Sequence, residues 1–128
     1  MKILSVIFIC VLACAVSGAE LPKRFLNALH QVETGGRTGA IKGDNGKALG
    51  PFQIHESYWI DSGVKGSYNQ CVDYDYSVKV VTAYLNRYGA SHIEKRDWQS
   101  LARIHNGGPN GAYKKATLPY WEKVRKHL

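Results

Sequence analysis

Residues 34–50, TGGRTGAIKGDNGKALG, constrain the fold of this 128-residue chain most strongly, because six of these seventeen residues are glycine. Glycine is favoured where the backbone turns through positive φ, and it weakens helices and strands. The segment is therefore predicted to form a turn or a short hairpin. The preceding stretch, LPKRFLNALHQVE, places Phe25, Leu29 and Val32 at i, i+4 and i+7, which predicts an amphipathic helix. This helix carries Glu33 at the end of its apolar face, just before the glycines.

Four further segments have the pattern of helices. PFQIHESYWIDSG is predicted to be a short helix that begins at Pro51 and ends at Gly63. DYDYSVKVVTAYLNRYG is the strongest helical segment and is predicted to end at Gly89. Its apolar stripe consists of Val81, Tyr84, Leu85 and Tyr88.

The last two helical segments each begin at a residue that favours helix N-termini. RDWQSLARIHNGG has Asp97 as its predicted cap and ends at Gly107, and TLPYWEKVRKHL has Thr117 as its predicted cap. The helical spacing makes Trp98 and Trp121 predicted core residues. Five helices and a small glycine-rich turn or hairpin region predict a mainly helical α+β fold with a single domain.

The first 19 residues, MKILSVIFICVLACAVSGA, have a basic start, an apolar run and small residues at the end, which predicts a signal peptide cleaved before Glu20. The apolar run from Ile3 to Val16 is short for a membrane span, so an anchor is the weaker alternative. Residues 20–128 are enough for one compact domain. We therefore expect a secreted, extracellular protein without a membrane span.

Charge and cysteine content give broad expectations about partners. The chain has 17 Lys and Arg against 10 Asp and Glu, and removal of Lys2 leaves a net charge of +6. A basic secreted protein is attracted to anionic cell surfaces, although charge alone does not select the partner. Cys71 is the cysteine that remains after cleavage, because Cys10 and Cys14 lie in the signal peptide. It is predicted to be buried in a monomer, with a disulfide-linked dimer as the alternative.

Two carboxylates stand in contrasting environments. Glu33 at an apolar helix end is expected to have a raised pKa, which suits a general acid, whereas Asp44 in the glycine-rich segment is expected to stay ionised. Such a pair is the pattern of glycoside hydrolysis. The alternatives are an ordinary surface glutamate and, for GDNG, an ordinary turn sequence.

Four motifs in order carry a family resemblance: VETGGR, GPFQIHESYWIDSG, ARIHNGGPNG and YWEKV. From about Phe25 to Val124 the chain resembles the invertebrate-type lysozymes, the destabilase family. The resemblance implies a lysozyme-like fold and a glycoside hydrolase that cleaves the β-1,4 bond between N-acetylmuramic acid and N-acetylglucosamine in bacterial peptidoglycan.

The resemblance also implies roles for individual residues. Glu33 would be the general acid and Asp44 the nucleophile or charge stabiliser, acting with retention of configuration. Retention places the two carboxyl groups about 5 Å apart. The implied substrate-binding residues are His55, Tyr58, Trp59, Tyr84, His105, Asn106 and Gly107, and the first three belong to a stretch from His55 to Asp61 that is expected to contribute to the cleft. For Trp59 a place in the core is an equal alternative, and for His105 capping of helix carbonyls is another.

The chain departs from the family at positions where the family has cysteine. Gly36, Ser62 and Ala112 stand there. Each lost disulfide removes a few kcal/mol of stability, so either packing compensates or the protein is less stable to heat. The interval from Asp44 to GPFQI is also one residue shorter than in the family pattern.

Other functions remain open from sequence. One is a goose-type or lytic-transglycosylase-like enzyme with Glu33 as its one essential carboxylate; another is a non-catalytic, cationic, glycan-binding antimicrobial protein. An isopeptidase that uses serine and histidine is disfavoured, since no nucleophile signature is evident. No cofactor, metal site or specific nucleic-acid partner is indicated, because the histidines are scattered.

Overall fold

The computed structural model describes residues 18–128, so the predicted signal peptide lies outside the described residues apart from Gly18 and Ala19. Within this range there are five α-helices and a three-stranded antiparallel sheet. The helices are α1 (Lys23–Thr34), α2 (Glu56–Ser62), α3 (Tyr74–Glu94), α4 (Trp98–Gly107) and α5 (Leu118–Arg125). The strands are β1 (Lys42–Gly43), β2 (Ala48–Leu49) and β3 (Ile54–His55). The predicted mainly helical α+β fold is confirmed.

The first helix forms as its apolar spacing predicts. Phe25 and Leu29 are buried in the core, and Val32 packs against it. The helix ends where Gly35 adopts a left-handed conformation (φ 65°) and donates its backbone N–H to the Gln31 carbonyl. Glu33 therefore lies in the last turn of α1, immediately before the break.

The glycine-rich segment forms the predicted hairpin. Lys42 pairs with Leu49 and Gly43 with Ala48, and β2 then pairs with β3. The turn between β1 and β2 is a single 3₁₀ turn, Asp44–Gly46, in which all three residues have positive φ. Because each strand has two residues, the hairpin depends on packing against the rest of the domain for its stability.

Two predicted helix boundaries were wrong. Helix α2 begins at Glu56 rather than Pro51, because residues 51–55 form a turn and strand β3. Helix α3 continues past Gly89 to Glu94, with a kink at Gly89 (φ −139°, ψ 26°). A Cβ at Gly89 would lie 2.8 Å from Leu101 Cδ2, so the absent side chain allows α4 to approach the kink closely.

The predicted caps had different outcomes. Asp97 caps α4 by accepting a hydrogen bond from the Ser100 backbone N–H at 3.1 Å. Thr117 precedes α5 but does not cap it with its side chain. Its hydroxyl instead donates to the Gly111 carbonyl at 2.7 Å and accepts from Arg103 Nε at 2.9 Å, which braces the loop between α4 and α5.

The core is built mainly from aliphatic residues of α1, α3 and α4. Trp98 stacks on Phe25 with ring centroids 5.2 Å apart, and Trp121 packs against the core with part of its surface exposed. Cys71 is fully buried as a free thiol, and burial raises its pKa to about 11. No helix in residues 18–128 is both long and apolar enough to span a membrane.

The positions where the family has cysteine are filled without cross-links. The Ser62 hydroxyl donates to the Trp59 carbonyl at 2.6 Å, which closes the end of α2. Ala112 packs against the core, and Gly36 adopts a positive φ of 82° directly after α1. Ser62 thus contributes a local hydrogen bond and Ala112 contributes apolar packing.

Candidate active site

An open cleft of about 650 Å³ lies between the hairpin and the helices. Its lining comes from the end of α1, the hairpin, α2, α3 and the end of α4 with the loop that follows it. The lining residues are Glu33, Asp44, Ala48, Gln53, His55, Ser57, Tyr58, Asp61, Tyr84, His105, Asn106, Gly108 and Pro109.

The end of α1 is fixed to the glycine-rich segment by side chains next to Glu33. The Thr34 hydroxyl donates to the Pro51 carbonyl at 2.9 Å, and His30 Nε2 donates to the Arg37 carbonyl at 2.6 Å. The Arg37 Nε in turn donates to the Thr34 carbonyl at 2.9 Å. These bonds hold the last turn of α1 against the hairpin, so that Glu33 faces the cleft from a rigid position.

The Glu33 carboxyl group is largely withdrawn from water. Its side chain is 16% exposed, and burial raises its pKa to about 7. The nearby Tyr120 hydroxyl and the charge of Lys123 lower this pKa, but by less than burial raises it. The raised pKa predicted from sequence is therefore confirmed, and close to half of the Glu33 groups carry a proton at pH 7.

Tyr120 was not identified from sequence as a neighbour of Glu33. Its hydroxyl is buried and interacts with the Glu33 carboxyl, although no partner around it meets strict hydrogen-bond geometry. The sequence of α5 carried no signal that the Tyr120 hydroxyl reaches α1.

His105 and Tyr58 form a buried pair behind Glu33. The Tyr58 hydroxyl and His105 Nδ1 are 2.8 Å apart, and the Tyr58 ring is stacked on that of Tyr84 with centroids 3.6 Å apart. His105 Nε2 lies 3.8 Å from Glu33 Oε1. Burial lowers the pKa of His105 to about 4, against an opposing effect of the Phe52 carbonyl. His105 is therefore neutral at pH 7 and forms no ion pair with Glu33.

Asp44 lies in a far more open environment than Glu33. Its side chain is 61% exposed, and Oδ2 lies 3.2 Å from His55 Nε2. The φ of 49° at Asp44, within the β1–β2 turn, directs the side chain into the cleft lining. The two carboxylates thus share one cleft but differ in their contact with water, as the sequence predicted.

The cleft brings together seven of the nine predicted site residues. Glu33, Asp44, His55, Tyr58, Tyr84, His105 and Asn106 line it. Trp59 does not: its indole N–H donates to the Tyr76 hydroxyl at 2.9 Å, and its ring packs against the core. Gly107 is also absent from the lining, where the next two residues take its place.

Three further polar residues line the cleft. Ser57 and Asp61 belong to the stretch from His55 to Asp61 that was expected to contribute to it, and they are four residues apart, on one face of α2. Gln53 was missed from sequence, since its role depends on contacts within the folded hairpin. Its amide donates to the carbonyls of Ile41 and Gly50 and so braces the hairpin from inside the cleft.

The charge of the cleft is opposite to that of the whole chain. Glu33, Asp44 and Asp61 line it, and within residues 18–128 no lysine or arginine is among the lining residues. The same part of the chain also contains no group of three His, Cys, Asp or Glu side chains arranged to hold a metal ion.

Comparison with known proteins gives consistent matches. The Destabilase family model matches residues 23–127. A lysozyme from Magallana gigas is 46% identical over 81 residues, which are 62% of this chain and 59% of the relative. A lysozyme from Meretrix lusoria is 35% identical over 113 residues, which are 86% of this chain and 93% of the relative. This chain spans about three fifths of the length of the Magallana gigas relative and of an Ostrea edulis lysozyme.

Solved structures agree with these matches. Meretrix lusoria lysozyme, crystallised in complex with Aeromonas hydrophila PliI, has a TM-score of 0.71 and 33% identity, covering 86% of this chain and 93% of its own. Tapes japonica lysozyme has a TM-score of 0.68 and 35% identity, covering 82% and 89% of the two chains.

Proposed function

Because this chain belongs to the destabilase family of invertebrate-type lysozymes, we propose that it is a secreted muramidase. It hydrolyses the β-1,4 bond between N-acetylmuramic acid and N-acetylglucosamine in bacterial peptidoglycan. The observation that carries the proposal is the Glu33 carboxyl group, which faces the cleft and has a pKa of about 7.

Glu33 acts as the general acid. A carboxyl group with a pKa near the working pH combines a sizeable protonated fraction with a ready proton transfer. It donates its proton to the glycosidic oxygen while the bond to the anomeric carbon breaks, and the sugar develops positive charge. After the first product leaves, the Glu33 carboxylate accepts a proton from the incoming water.

Asp44 stabilises or attacks the developing sugar cation. Its carboxylate is exposed to water, and His55 Nε2 lies close enough to donate a hydrogen bond to it. Both contacts stabilise the negative charge of the carboxylate. Covalent attack by Asp44 followed by attack of water gives retention of configuration. The three carboxylates of the cleft are also suited to a substrate that becomes positively charged.

The remaining lining residues bind the glycan. His55, Tyr84 and Asn106 present ring faces and polar atoms to the cleft, a combination that suits sugar rings and N-acetyl groups. Residues 1–19 serve as the signal peptide and residues 20–128 as the catalytic domain. The basic surface draws the secreted protein to anionic bacterial walls.

The test is lysis of purified Gram-positive cell walls by the wild type and by Glu33→Gln. The variant keeps the size and hydrogen-bonding shape of the side chain but has no proton to donate, so we expect lysis to fall at least about a hundredfold. Circular dichroism of both proteins checks the fold. Lysis by Glu33→Gln at the wild-type rate would reject the assignment.

A second mechanism, in which Glu33 alone is essential, is favoured by the interval from Asp44 to GPFQI, which is one residue shorter than in the family pattern. The same assay with Asp44→Asn separates the two. If Asp44 is the nucleophile, the variant loses most activity; if Glu33 suffices, it retains most of it. Identification of the product then distinguishes a hydrolase, which leaves a reducing end, from a transglycosylase, which leaves an anhydro sugar.

A further inference from the structure

Tyr58 and His105 line the cleft, but their polar atoms are engaged inside the protein. The Tyr58 hydroxyl contacts His105 Nδ1 at 2.8 Å, and the His105 side chain is only 4% exposed. Stacking on Tyr84 fixes the Tyr58 ring and thus the direction of its hydroxyl. Groups whose donors and acceptors are already paired have little left to offer a sugar hydroxyl.

The partners of His105 determine which ring nitrogen carries the proton. Tyr58 occupies Nδ1, and the Phe52 carbonyl also interacts with the ring. A carbonyl can only accept a hydrogen bond, so we assign the proton to Nε2, and Nδ1 then accepts from the Tyr58 hydroxyl. Tyr58 keeps its proton because burial raises its pKa well above the ordinary value.

We propose that Tyr58 and His105 are positioning residues for Glu33: the Tyr58 hydroxyl occupies His105 Nδ1 and so adds to the burial of the ring in holding His105 as a neutral imidazole, with no positive charge beside the Glu33 carboxyl group. The inference rests on the proposed role of Glu33 as proton donor. A protonated His105 would lie 3.8 Å from Glu33 Oε1. An opposite charge at such a distance typically lowers the pKa of a carboxyl group by about 1–3 units, which would leave Glu33 ionised and unable to donate.

The other ionisable groups near Glu33 and His105 do not lower the pKa of Glu33 as a cationic His105 would. From α5, Tyr120 and Lys123 both lower the pKa of Glu33, and the Tyr120 ring lies 6.2 Å from that of His105. Lys123 is exposed, so water screens its charge. Asp44 and Asp61 line the same cleft and are negative, as Glu33 becomes on ionisation. Among the described residues, His105 is thus the side chain closest to the Glu33 carboxyl group that could carry a positive charge.

The experiment measures the Glu33 pKa directly, by ¹³C NMR titration of its carboxyl carbon in the wild type and in Tyr58→Phe. Loss of the hydroxyl removes the donor from Nδ1, so burial alone opposes protonation there, and the ion pair of cationic His105 with ionised Glu33 becomes more populated. We expect the pKa of Glu33 to fall by about one unit. Tyr88→Phe is the matched control: its ring packs edge-on against Tyr84 at 4.9 Å, and it does not line the cleft. An unchanged Glu33 titration in Tyr58→Phe would overturn the proposal.

Kinetics on a soluble peptidoglycan fragment separate positioning from substrate contact. For Tyr58→Phe we expect kcat at pH 7 to fall about fivefold, as a one-unit drop in pKa implies, with KM unchanged and the basic limb of the pH profile moved to lower pH. A raised KM with an unchanged pH profile would assign Tyr58 to the substrate instead. If kcat fell only in proportion to the fraction of unfolded protein, and the pH profile were unchanged, the role of Tyr58 and His105 would be structural.

The wild-type protein alone provides a second test. In ¹⁵N NMR at pH 6, His105 should be neutral with its proton on Nε2. A doubly protonated ring, or a proton on Nδ1, would contradict the proposal even if Tyr58→Phe did not fold. These titrations do not depend on catalysis, so they remain decisive if Glu33→Gln turns out to be active and the proposed function fails.

Discussion

At the scale of single residues, the burial of Glu33 couples its proposed role as proton donor to the stability of the fold. The buried environment that keeps a proton on this carboxyl group also makes its ionisation costly in the folded protein. Burial affects the neighbouring His105 in the opposite direction: it lowers the pKa of His105 to about 4 and so opposes protonation of the ring. The two groups therefore give the stability of the fold opposite dependences on pH.

Replacing Glu33 should reveal this opposition. The folded pKa of about 7 exceeds the ordinary 4.5, so the contribution of protonated Glu33 is complete below about pH 4.5 and is lost as the pH rises to about 7. A shift of about 2.5 units corresponds to roughly 3 kcal/mol. We expect Glu33→Gln to be more stable than the wild type by up to about 3 kcal/mol at pH 8, and to differ by less than about 1 kcal/mol at pH 4.

Urea unfolding between pH 4 and pH 8 measures these differences. In Glu33→Gln the His105 effect should remain alone: its folded pKa of about 4 lies below the ordinary 6.5, so stability should rise across that interval. Glu122→Gln, on the exposed face of α5, is the control and should change stability by less than about 0.5 kcal/mol at any pH. A Glu33→Gln variant no more stable than the wild type at pH 8 would show that Glu33 is not desolvated.

At the scale of elements, the hairpin is the part that depends most on its surroundings. Its six paired residues form a sheet too small to be stable alone, and it is held by its close approach to the segment around Cys71. Gly50, with φ 79°, marks that approach, because a Cβ there would collide with the Cys71 carbonyl. Gly46 has a similar φ of 84°, but a Cβ there would meet no atom within 4 Å.

This contrast gives a matched pair of substitutions. Gly46→Ala adds only the strain of a left-handed backbone, and we expect it to cost about 1–2 kcal/mol. Gly50→Ala adds the same strain and a collision with backbone, so it should cost at least about 2 kcal/mol more. Thermal or urea unfolding of both variants provides the measurement. Equal costs would mean that the hairpin can move away from Cys71 without loss of stability.

At the scale of the whole molecule, charge is unevenly distributed. The full chain has a net charge of +7, yet the cleft lining contains three carboxylates and, within the described residues, no lysine or arginine. Under the proposed function, a basic exterior favours attraction to an anionic wall, whereas an acidic cleft favours a cationic transition state. The two functions should therefore respond differently to salt.

We expect lysis of whole cell walls to fall steeply as salt rises from about 10 mM to about 500 mM, because the Debye length shrinks from about 30 Å to a few ångströms. Cleavage of a short, soluble peptidoglycan fragment should change much less over the same range, because it lacks the extended anionic surface of the wall. Paired assays at fixed pH provide the comparison. An equal loss of activity on both substrates would place the salt effect in the cleft rather than on the surface.

The sequence by itself determined the five helices, the hairpin and the contrast between Glu33 and Asp44. These follow from local properties: apolar spacing, glycine where φ is positive, and an acid at the end of an apolar stripe. The burial of Cys71 was also predicted, because nothing near it in the sequence marks an activating base and such a thiol packs as a small apolar side chain.

Only the tertiary structure decided what surrounds each catalytic candidate. Tyr120 on α5 and His105 on α4 are distant from Glu33 along the chain, and a side chain's distant partners leave no periodic signal in the sequence. The same reason explains why Gly89 was predicted to end α3: a glycine within a helix is tolerated when a neighbouring helix packs against it, and only the position of α4 shows this. Trp59 likewise found a partner in Tyr76, outside the cleft. Local spacing thus fixes the elements, whereas long-range packing sets the pKa of Glu33 and hence the chemistry available to the cleft.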